Sequence, residues 1–123
     1  MTDNRAAFEA FCDLFYTQKR VAAAFAFLVA DDYIQHNPNV PDGPQPAIDM
    51  LTPKFDGSPD ARFEIQRILV DGDLAMVHVR ASLPGLPVAA VADIYRFENG
   101  RIVEHWDVLQ PVPAHAAHDH PMF

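Results

Sequence analysis

Three groups that could exchange protons lie close together in the stretch DIYRFENGRIVEHWDVLQP, residues 93 to 111: Asp93, His105 and Asp107. A histidine oriented by a carboxylate can act as a general base, and a carboxylate in an apolar cavity can become a proton donor. This combination indicates a site where protons are moved. The alternative is that all three side chains lie on a solvent-exposed face and form surface ion pairs.

The turn between these groups decides which of them face the same way, because one residue of slip moves a strand's side chains to the opposite face. A two-residue Asn99-Gly100 turn would place Asp93 opposite Trp106 and leave His105 on the other face. A three-residue loop with Gly100 in a bulge would place Asp93 opposite His105. We favour the second register because it pairs a carboxylate with an imidazole, while the first stays open.

Two further segments offer polar side chains. YIQHNPN carries Tyr33, His36 and Asn37, and the proline after Asn37 favours an extended backbone that would project His36 and Asn37 to opposite sides. We expect His36 and Asn37 to donate hydrogen bonds to a substrate, although a lone histidine can also be a structural hydrogen-bonding group. His78 is a further candidate for substrate binding, and its alternative is a solvent-facing polar pair with Arg80.

A metal site is an alternative for the same residues. His36, His105 and either Asp93 or Asp107 would form a site of two histidines and one carboxylate. The sequence holds no compact ligand pair such as HExxH or CxxC. The histidines of the tail PAHAAHDHPMF are typical of an adventitious metal-binding tract. We therefore assign no metal to the domain.

Helices precede strands along the chain. Apolar residues recur at helical spacing, first in Phe8, Cys12 (or Phe11) and Phe15 and then in Val21, Ala24, Phe25 and Leu28. Thr2 or Asp3 could cap the first helix. Prolines exclude regular structure in YIQHNPNVPDGP, residues 33 to 44, after which Pro46 can open a short third helix over PAIDMLTPKF.

The second half changes to a period of two. RFEIQRILV, LAMVHVRAS, VAAVADIYRF and RIVEHWDVLQ are predicted strands, and the short separators DGD, PGLP and ENG make neighbouring strands antiparallel. Helices followed by such a meander predict an α+β fold in which one curved sheet wraps helices packed on a single face. Residues 1–112 would form one domain, and residues 113–123 a tail that is partly ordered at best.

Composition narrows the class of protein. The chain has 123 residues, a net charge of −8 and scattered basic residues, which argues against nucleic acid as a partner. No apolar run approaches the ~20 residues of a membrane span, and no targeting segment is evident. The single cysteine, Cys12, suits a core helix and a reducing compartment, so we expect a cytoplasmic protein. Phosphate-binding glycine loops are missing, so we expect no cofactor.

Two helices, YIQHNP, the four-strand meander and GRIVEHWDVLQ together resemble the SnoaL-like polyketide cyclase branch of the nuclear transport factor 2-like superfamily. The resemblance spans nearly the whole chain, with an atypical histidine-rich tail. It implies a cone-shaped, cystatin-like α+β barrel around an apolar pocket, with Asp93, His105 and Asp107 inside. It also implies a homodimer formed through the outer sheet face, where we expect Ile94, Ile102 and Trp106 or Val108 to be exposed.

Characterised relatives include cofactor-free aldol cyclases, ketosteroid isomerase and limonene epoxide hydrolase, which use pocket carboxylates as acid or base. Asp107 looks like the acid/base aspartate of the epoxide hydrolase, whose accompanying arginine is absent from AAVADIY. We therefore expect an aldol-type cyclase, isomerase or dehydratase acting on a small apolar carbonyl compound. Its catalytic groups would be Asp107, with His105 as a second proton carrier paired with Asp93. The residues expected to contact the substrate are Tyr33, His36, Asn37, His78, Tyr95 and Phe15. The competing hypothesis is a non-catalytic small-ligand-binding module of the same fold.

Overall fold

The computed structural model describes residues 3–56 and 58–123 and has an α+β architecture. Its helical elements are α1 (Asn4–Cys12), a π-helical turn (Asp13–Thr17), α2 (Val21–Leu28) and α3 (Pro44–Phe55). Its strands are β1 (Val29–Gln35), β2 (Arg62–Asp71), β3 (Leu74–Ser82), β4 (Ala89–Glu98) and β5 (Arg101–Pro111). The strands form one curved, unclosed sheet in the order β1-β5-β4-β3-β2. The helices pack on its concave face, which confirms the predicted cone-like fold.

The first helix begins at a side-chain cap and ends in a π-helical turn. Asp3 caps it by accepting a hydrogen bond from the backbone N–H of Ala6 at 3.1 Å, while Thr2, the other predicted cap, lies outside the described residues. After Cys12 the helix widens into the π-helical turn, where the N–H of Gln18 donates to the carbonyl of Asp13 at 2.9 Å. The inserted residue leaves two consecutive aromatic rings, Phe15 and Tyr16, buried.

The segment after α2 differs from the prediction, which placed no strand there. Val29–Gln35 forms β1 and pairs in parallel with β5, so that Gln35 lies beside His105. Parallel pairing between distant segments cannot be recognised from short turns, and this segment carries polar residues such as Asp31 and Asp32. The third helix was predicted more closely, since it begins at Pro44 instead of Pro46.

The four predicted strands of the second half are confirmed as the antiparallel ladder β2-β3-β4-β5. In β3 the buried side chains alternate with outward ones, so Ala75, Val77, Val79 and Ala81 join the core. Cys12 is also in this core, as predicted. No helix among the described residues is long and apolar enough to span a membrane.

The tail after β5 has no helix or strand. It begins with a hydrogen bond from the N–H of Val112 to the carbonyl of Val88 at 2.8 Å. Most of its side chains are exposed, but the ring of the last residue, Phe123, lies 5.5 Å from the guanidinium carbon of Arg80. The end of the chain therefore returns to the outer face of β3.

The β4–β5 turn combines features of the two predicted registers. Asn99 and Gly100 form a two-residue turn with positive φ values of 52° and 77°. Next to this turn Phe97 pairs with Ile102, and the following pair is Arg96 with Glu104. Val103, which lies between Ile102 and Glu104, is therefore the extra residue of a β-bulge.

The bulge corrects both predictions. Asp93 lies opposite Asp107 and not opposite Trp106 or His105, while His105 lies opposite Tyr95. The tight turn was predicted by the first register, and the common face of Asp93, His105 and Asp107 by the second. The expectation that Ile102 faces outward is wrong, because before the bulge it points into the core and is fully buried.

Replacing Asn99 tests how strongly this turn specifies the register. Asn99→Ala is expected to lower the free energy of unfolding by about 1 kcal/mol, because alanine tolerates positive φ poorly. The matched variant Asn99→Gly should stay within about 0.5 kcal/mol of the wild type, since glycine adopts this conformation readily. Urea unfolding followed by circular dichroism measures both. Equal losses in the two variants would show that the asparagine side chain, and not the backbone conformation, stabilises the turn.

Candidate functional site

A cavity of about 260 Å³ lies between the concave face of the sheet and the helices. Its volume is just below the roughly 300 Å³ at which the range for small-molecule sites begins. Most of its wall is apolar and aromatic, with Phe15, Phe25, Phe55 and Phe63 among the lining residues. Its polar groups come mainly from β1, β4 and β5: Tyr33, Gln35, Asn37, Asp93, Tyr95, His105 and Asp107.

Asp93 is the most buried acidic group of the site, with 8% of its surface exposed. One carboxylate oxygen, Oδ2, accepts a hydrogen bond from the hydroxyl of Tyr16 at 2.5 Å, and the other, Oδ1, lies 2.9 Å from Nε2 of His105. The hydroxyls of Tyr16 and Tyr95 lie 2.8 Å apart. Since the hydrogen of Tyr16 is directed to Asp93, Tyr95 donates to Tyr16. Asp93 is therefore a hydrogen-bonded carboxylate within the apolar core.

His105 connects Asp93 to the first strand. Its other ring nitrogen, Nδ1, lies 2.7 Å from Oε1 of Gln35, across the parallel pairing of β1 and β5. The ring also packs against Tyr95, with centroids 4.8 Å apart. Only 7% of the residue is exposed, and both of its ring nitrogens have protein partners. The ring is thus held in one orientation.

Asp107 has fewer hydrogen-bond partners than Asp93. It is half-buried and lines the cavity, and its Oδ2 accepts a hydrogen bond from the side-chain amide of Asn37 at 2.7 Å. Asn37 is itself oriented, since its own side-chain oxygen accepts from the N–H of Asn39 at 2.9 Å. The carboxylate of Asp107 is therefore aimed by one neighbour, and its other oxygen has no partner among the described residues.

Two predicted substrate contacts lie away from the cavity. His36 is exposed on the outer side, where its Nε2 lies 2.6 Å from Glu104 and its ring stacks on Trp106 with centroids 4.9 Å apart. The hydrogen bonds from His36 and Arg96 hold the pKa of Glu104 below its usual range. His78 also faces outward. Asn37 lines the cavity, so His36 and Asn37 project to opposite sides, as predicted.

His78 fits the alternative interpretation better than the substrate-binding one. Its Nδ1 lies 3.0 Å from a guanidinium nitrogen of Arg67 on the neighbouring strand. It shares the outward-facing side of β3 with Arg80, which binds Glu64 at 3.0 Å. The role given to Asn37 also changes, since its amide is directed to Asp107. By contrast, Phe15, Tyr33 and Tyr95 line the cavity as expected.

The metal alternative needs revision as well. The side chain of His36 lies on the outer side with Glu104, whereas His105 faces the cavity, so the predicted two-histidine set does not form. Asp93, His105 and Asp107 do offer ligand atoms within 4.8 Å of one another. However, a cation bound to these atoms would have to displace the hydrogen shared between Nε2 of His105 and Oδ1 of Asp93. The donor set fits a hydrogen-bonded proton-transfer site better than a metal centre.

Tyr16 and Gln35 are site residues that the sequence prediction missed. The π-helical turn that buries Tyr16 beside Phe15 has no recognisable sequence signal. For Gln35 a signal existed, because Tyr33, Gln35 and Asn37 have the period of two that places alternate strand residues on one face. Treating this proline-containing segment as irregular hid that pattern.

The surroundings of the carboxylates keep the neighbouring phenols and thiol neutral. Burial, and then the negative charge of Asp93, raise the pKa of Tyr16 and Tyr95 well above the usual range. The same two causes raise the pKa of Tyr33 and of the Cys12 thiol. The site therefore combines two carboxylates, an imidazole and uncharged hydroxyl donors. Such a set can accept a proton, return it, and donate hydrogen bonds to an oxygen.

The sequence matches the model of one known protein family. The family model described as SnoaL-like domain matches residues 8–105. No curated protein sequence matches the chain.

Solved structures share the fold at low sequence identity. A nuclear transport factor 2-like protein of unknown function from Burkholderia xenovorans is 20% identical, with a TM-score of 0.73 over 93% of this chain and 88% of the other. One from Mesorhizobium loti is 23% identical, with a TM-score of 0.73 over 87% and 90%. A proposed polyketide cyclase from Acidithiobacillus ferrooxidans is 16% identical, with a TM-score of 0.67 over 86% and 87%. These likenesses establish the fold alone.

The titration of the tyrosines tests the buried network. The chain has three tyrosines, Tyr16, Tyr33 and Tyr95, and the pKa of each is raised in the folded state. A raised tyrosine pKa leaves stability intact below pH ~10, where the unfolded chain begins to ionise. Above it, stability falls by about 1.4 kcal/mol per pH unit for each tyrosine, until the folded form ionises too.

Phenolate absorbance should therefore appear only together with unfolding when the pH is raised stepwise above 10. Near-ultraviolet absorbance and far-ultraviolet circular dichroism, recorded on the same samples, measure the two events. Phenolate formation in a chain that keeps its folded circular dichroism spectrum would contradict the buried network. Guanidinium-unfolded protein supplies the reference titration.

Proposed function

Since the chain belongs to the SnoaL-like family, we propose that it is a cofactor-independent acid/base enzyme acting on a small, largely apolar carbonyl compound. The observation that carries this proposal is the position of Asp107, a carboxylate oriented by Asn37 at the wall of an aromatic cavity. The reaction would be an aldol-type cyclisation, an isomerisation or a dehydration, each of which begins with proton transfer next to a carbonyl.

Asp107 suits the role of principal base because its second oxygen is available to a ligand. Both oxygens of Asp93 are occupied by Tyr16 and His105. Asn37 restrains Asp107 without a charge, so the carboxylate keeps its ability to accept a proton. The division of tasks between the two acids follows from their environments.

Tyr33 is the proposed donor to the substrate oxygen, in place of His36 and Asn37. Its hydroxyl accepts a hydrogen bond from Nε2 of Gln35 at 3.3 Å, so its own hydrogen is directed elsewhere. Within the described chain no acceptor lies within hydrogen-bonding reach of that hydrogen, and Tyr33 lines the cavity. A neutral phenol aimed into an apolar cavity stabilises an enolate oxygen without prior reorganisation.

The proposed steps conserve protons. Asp107 removes a proton from the carbon next to the carbonyl, and the C–H electron pair forms an enolate whose oxygen accepts a hydrogen bond from Tyr33. In a cyclisation the enolate carbon then attacks a second carbonyl of the same molecule, and the protonated Asp107 returns its proton to the new alkoxide. In an isomerisation the proton returns to another carbon of the conjugated system.

Asp107→Asn is expected to lower kcat by about two orders of magnitude or more while ligand affinity stays nearly unchanged, because the amide keeps the shape and loses the base. Screening small cyclic ketones, enones and lactones by thermal shift, and then for turnover, supplies the substrate. Asp119→Asn, a matched change in the exposed tail, should leave kcat at the wild-type value.

Wild-type turnover in Asp107→Asn would remove Asp107 from the mechanism. Activity that disappears with a chelator and returns with one added metal would instead favour the cluster of Asp93, His105 and Asp107 as a metal centre.

A non-catalytic binding module is the second candidate. One observation favours it: within the described chain, every buried side-chain nitrogen and oxygen already has a hydrogen-bond partner. A pocket whose buried polar atoms are already hydrogen-bonded can hold an apolar ligand without chemistry. Ligands that raise the unfolding temperature and are recovered unchanged after long incubation would support this function over the enzymatic one.

A homodimer through the outer sheet face also belongs to this proposal. Cross-strand pairing places Leu69, Met76, Ile94 and Trp106 in one row across four strands. Val108 stands in the next row and is 65% exposed. A continuous apolar strip of this kind usually marks an interface. A cytoplasmic location is proposed as well, because the only thiol, Cys12, is buried and free.

Val108→Asp is expected to convert a dimer to a monomer at micromolar concentration, since it places a charge beside the strip in the proposed interface. Light scattering coupled to gel filtration measures the mass. Leu86→Asp is the matched control, because Leu86 is similarly exposed, at 64%, but lies in the β3–β4 connection. A monomeric mass for the wild-type protein would refute the dimer.

A further inference from the structure

The ring of His105 lies between two oxygen atoms. Its Nε2 is 2.9 Å from Oδ1 of Asp93, and its Nδ1 is 2.7 Å from Oε1 of Gln35. A neutral imidazole has one N–H donor and one bare nitrogen that accepts. With an acceptor on each side, a neutral ring would direct its bare nitrogen at an oxygen, and two lone pairs would face each other. The question is whether either oxygen could be a donor instead.

Gln35 cannot exchange its oxygen and its amide group without loss. Its Oε1 also accepts the backbone N–H of Asn37 at 3.0 Å, and its Nε2 donates to the hydroxyl of Tyr33 at 3.3 Å. A backbone N–H can only donate, so turning the amide would set two donors against each other at Asn37. The oxygen of Gln35 therefore faces His105, and Nδ1 has to carry a hydrogen.

Asp93 is better described as a carboxylate than as an acid. Its Oδ2 already accepts the hydroxyl of Tyr16 at 2.5 Å, and Tyr95 supports that hydroxyl from 2.8 Å. Hydrogen bonds donated to a carboxylate favour its charged form. In free side chains imidazole is the stronger base by roughly two and a half pH units, so a proton shared between the two groups resides on the ring. Nε2 then carries a hydrogen as well.

We propose that His105 is held as a doubly protonated imidazolium by Asp93 and Gln35, and that Gln35 is the positioning residue that selects this form. The charge on His105 is inferred from these contacts alone, and only its role in catalysis rests on the proposed function. Both N–H groups are engaged by the protein, so His105 retains its hydrogens during turnover. The earlier expectation that it is a second proton carrier is replaced by the role of a fixed positive charge.

The position of that charge gives it a role in the proposed reaction. The ligand atoms of His105, Asp93 and Asp107 lie within 4.8 Å of one another. Around the ring, β1 contributes Tyr33, the π-helical turn Tyr16, β4 Asp93 and Tyr95, and β5 Asp107, while Lys54 of α3 lines the same cavity. The phenols are neutral, so the imidazolium balances one of two carboxylates. It thereby favours a ligand on which negative charge develops, such as an enolate.

Nitrogen-15 NMR of the histidine rings tests the assignment without any substrate. In uniformly labelled protein at pH 8, both ring nitrogens of His105 should show attached hydrogens. The other five histidines of the chain are exposed or half-buried and serve as internal references. The signal that is lost in His105→Gln identifies the residue. A bare nitrogen on His105 at pH 8 would overturn the proposal.

Two substitutions at Gln35 test its selecting role. Gln35→Met removes the acceptor at similar length, and at pH 8 the ring should lose the hydrogen on Nδ1. Gln35→Glu keeps an oxygen there, and the ring should stay doubly protonated. Glu104→Gln, which changes only the partners of His36 and Arg96 on the outer side, should leave the His105 signals unchanged. Two hydrogens on the ring of Gln35→Met would overturn the role of Gln35.

The wild-type spectrum decides the charge on His105 even if a Gln35 variant fails to fold. Backbone amide spectra of each variant report folding independently of the ring signals. If the wild-type ring has a bare nitrogen and Asp107→Asn is inactive, the imidazolium proposal is wrong and Asp107 keeps its role as general base. If the ring is doubly protonated and Asp107→Asn turns over at the wild-type rate, the imidazolium proposal holds and Asp107 is not the base.

Discussion

The burial of the Asp93 carboxylate is the constraint on which the rest of the site depends. A charge inside an apolar core is costly unless hydrogen bonds and an opposite charge compensate for it. Here the compensation comes from three separate elements. The π-helical turn supplies Tyr16, β4 supplies Tyr95, and β5 supplies His105. The π-helical turn lies far from β4 and β5 in the sequence, so only the fold brings these groups together.

The contrast between Asp93 and Asp107 shows how one sheet face can hold two carboxylates in different surroundings. The two residues are directly opposite each other on β4 and β5. Asp93 is saturated by its neighbours, whereas Asp107 contacts a single uncharged amide, that of Asn37. The first group is fixed on both oxygens, and the second keeps one oxygen without a partner among the described residues. This division does not require any difference in residue type, since the surroundings alone produce it.

Local pattern was sufficient for much of the fold. Apolar alternation and short turns predicted β2 to β5. The shared face of Asp93, His105 and Asp107 was predicted by the favoured register and by the family resemblance, but the structure reaches it through a different turn with a bulge. The cross-strand partners did not follow, because the bulge at Val103 depends on how Ile102 and Val103 can both be buried. β1 and the π-helical turn were missed for a related reason. Both are stabilised by contacts with residues far away in the chain, and Gln35 and Tyr16 enter the site through them.

The parallel pairing of β1 with β5 has a consequence for folding. Gln35 and His105 are 70 residues apart in sequence, and so are Asn37 and Asp107. The two residues of each pair are hydrogen-bonded to each other across the seam between β1 and β5. The hairpins of β2 to β5 can form from neighbouring segments, but closure of the longer loop has a larger entropic cost. We therefore expect the cavity wall to be completed late in folding, when the first strand docks along the last. We also expect local opening of this seam to expose the interior while most of the sheet stays intact.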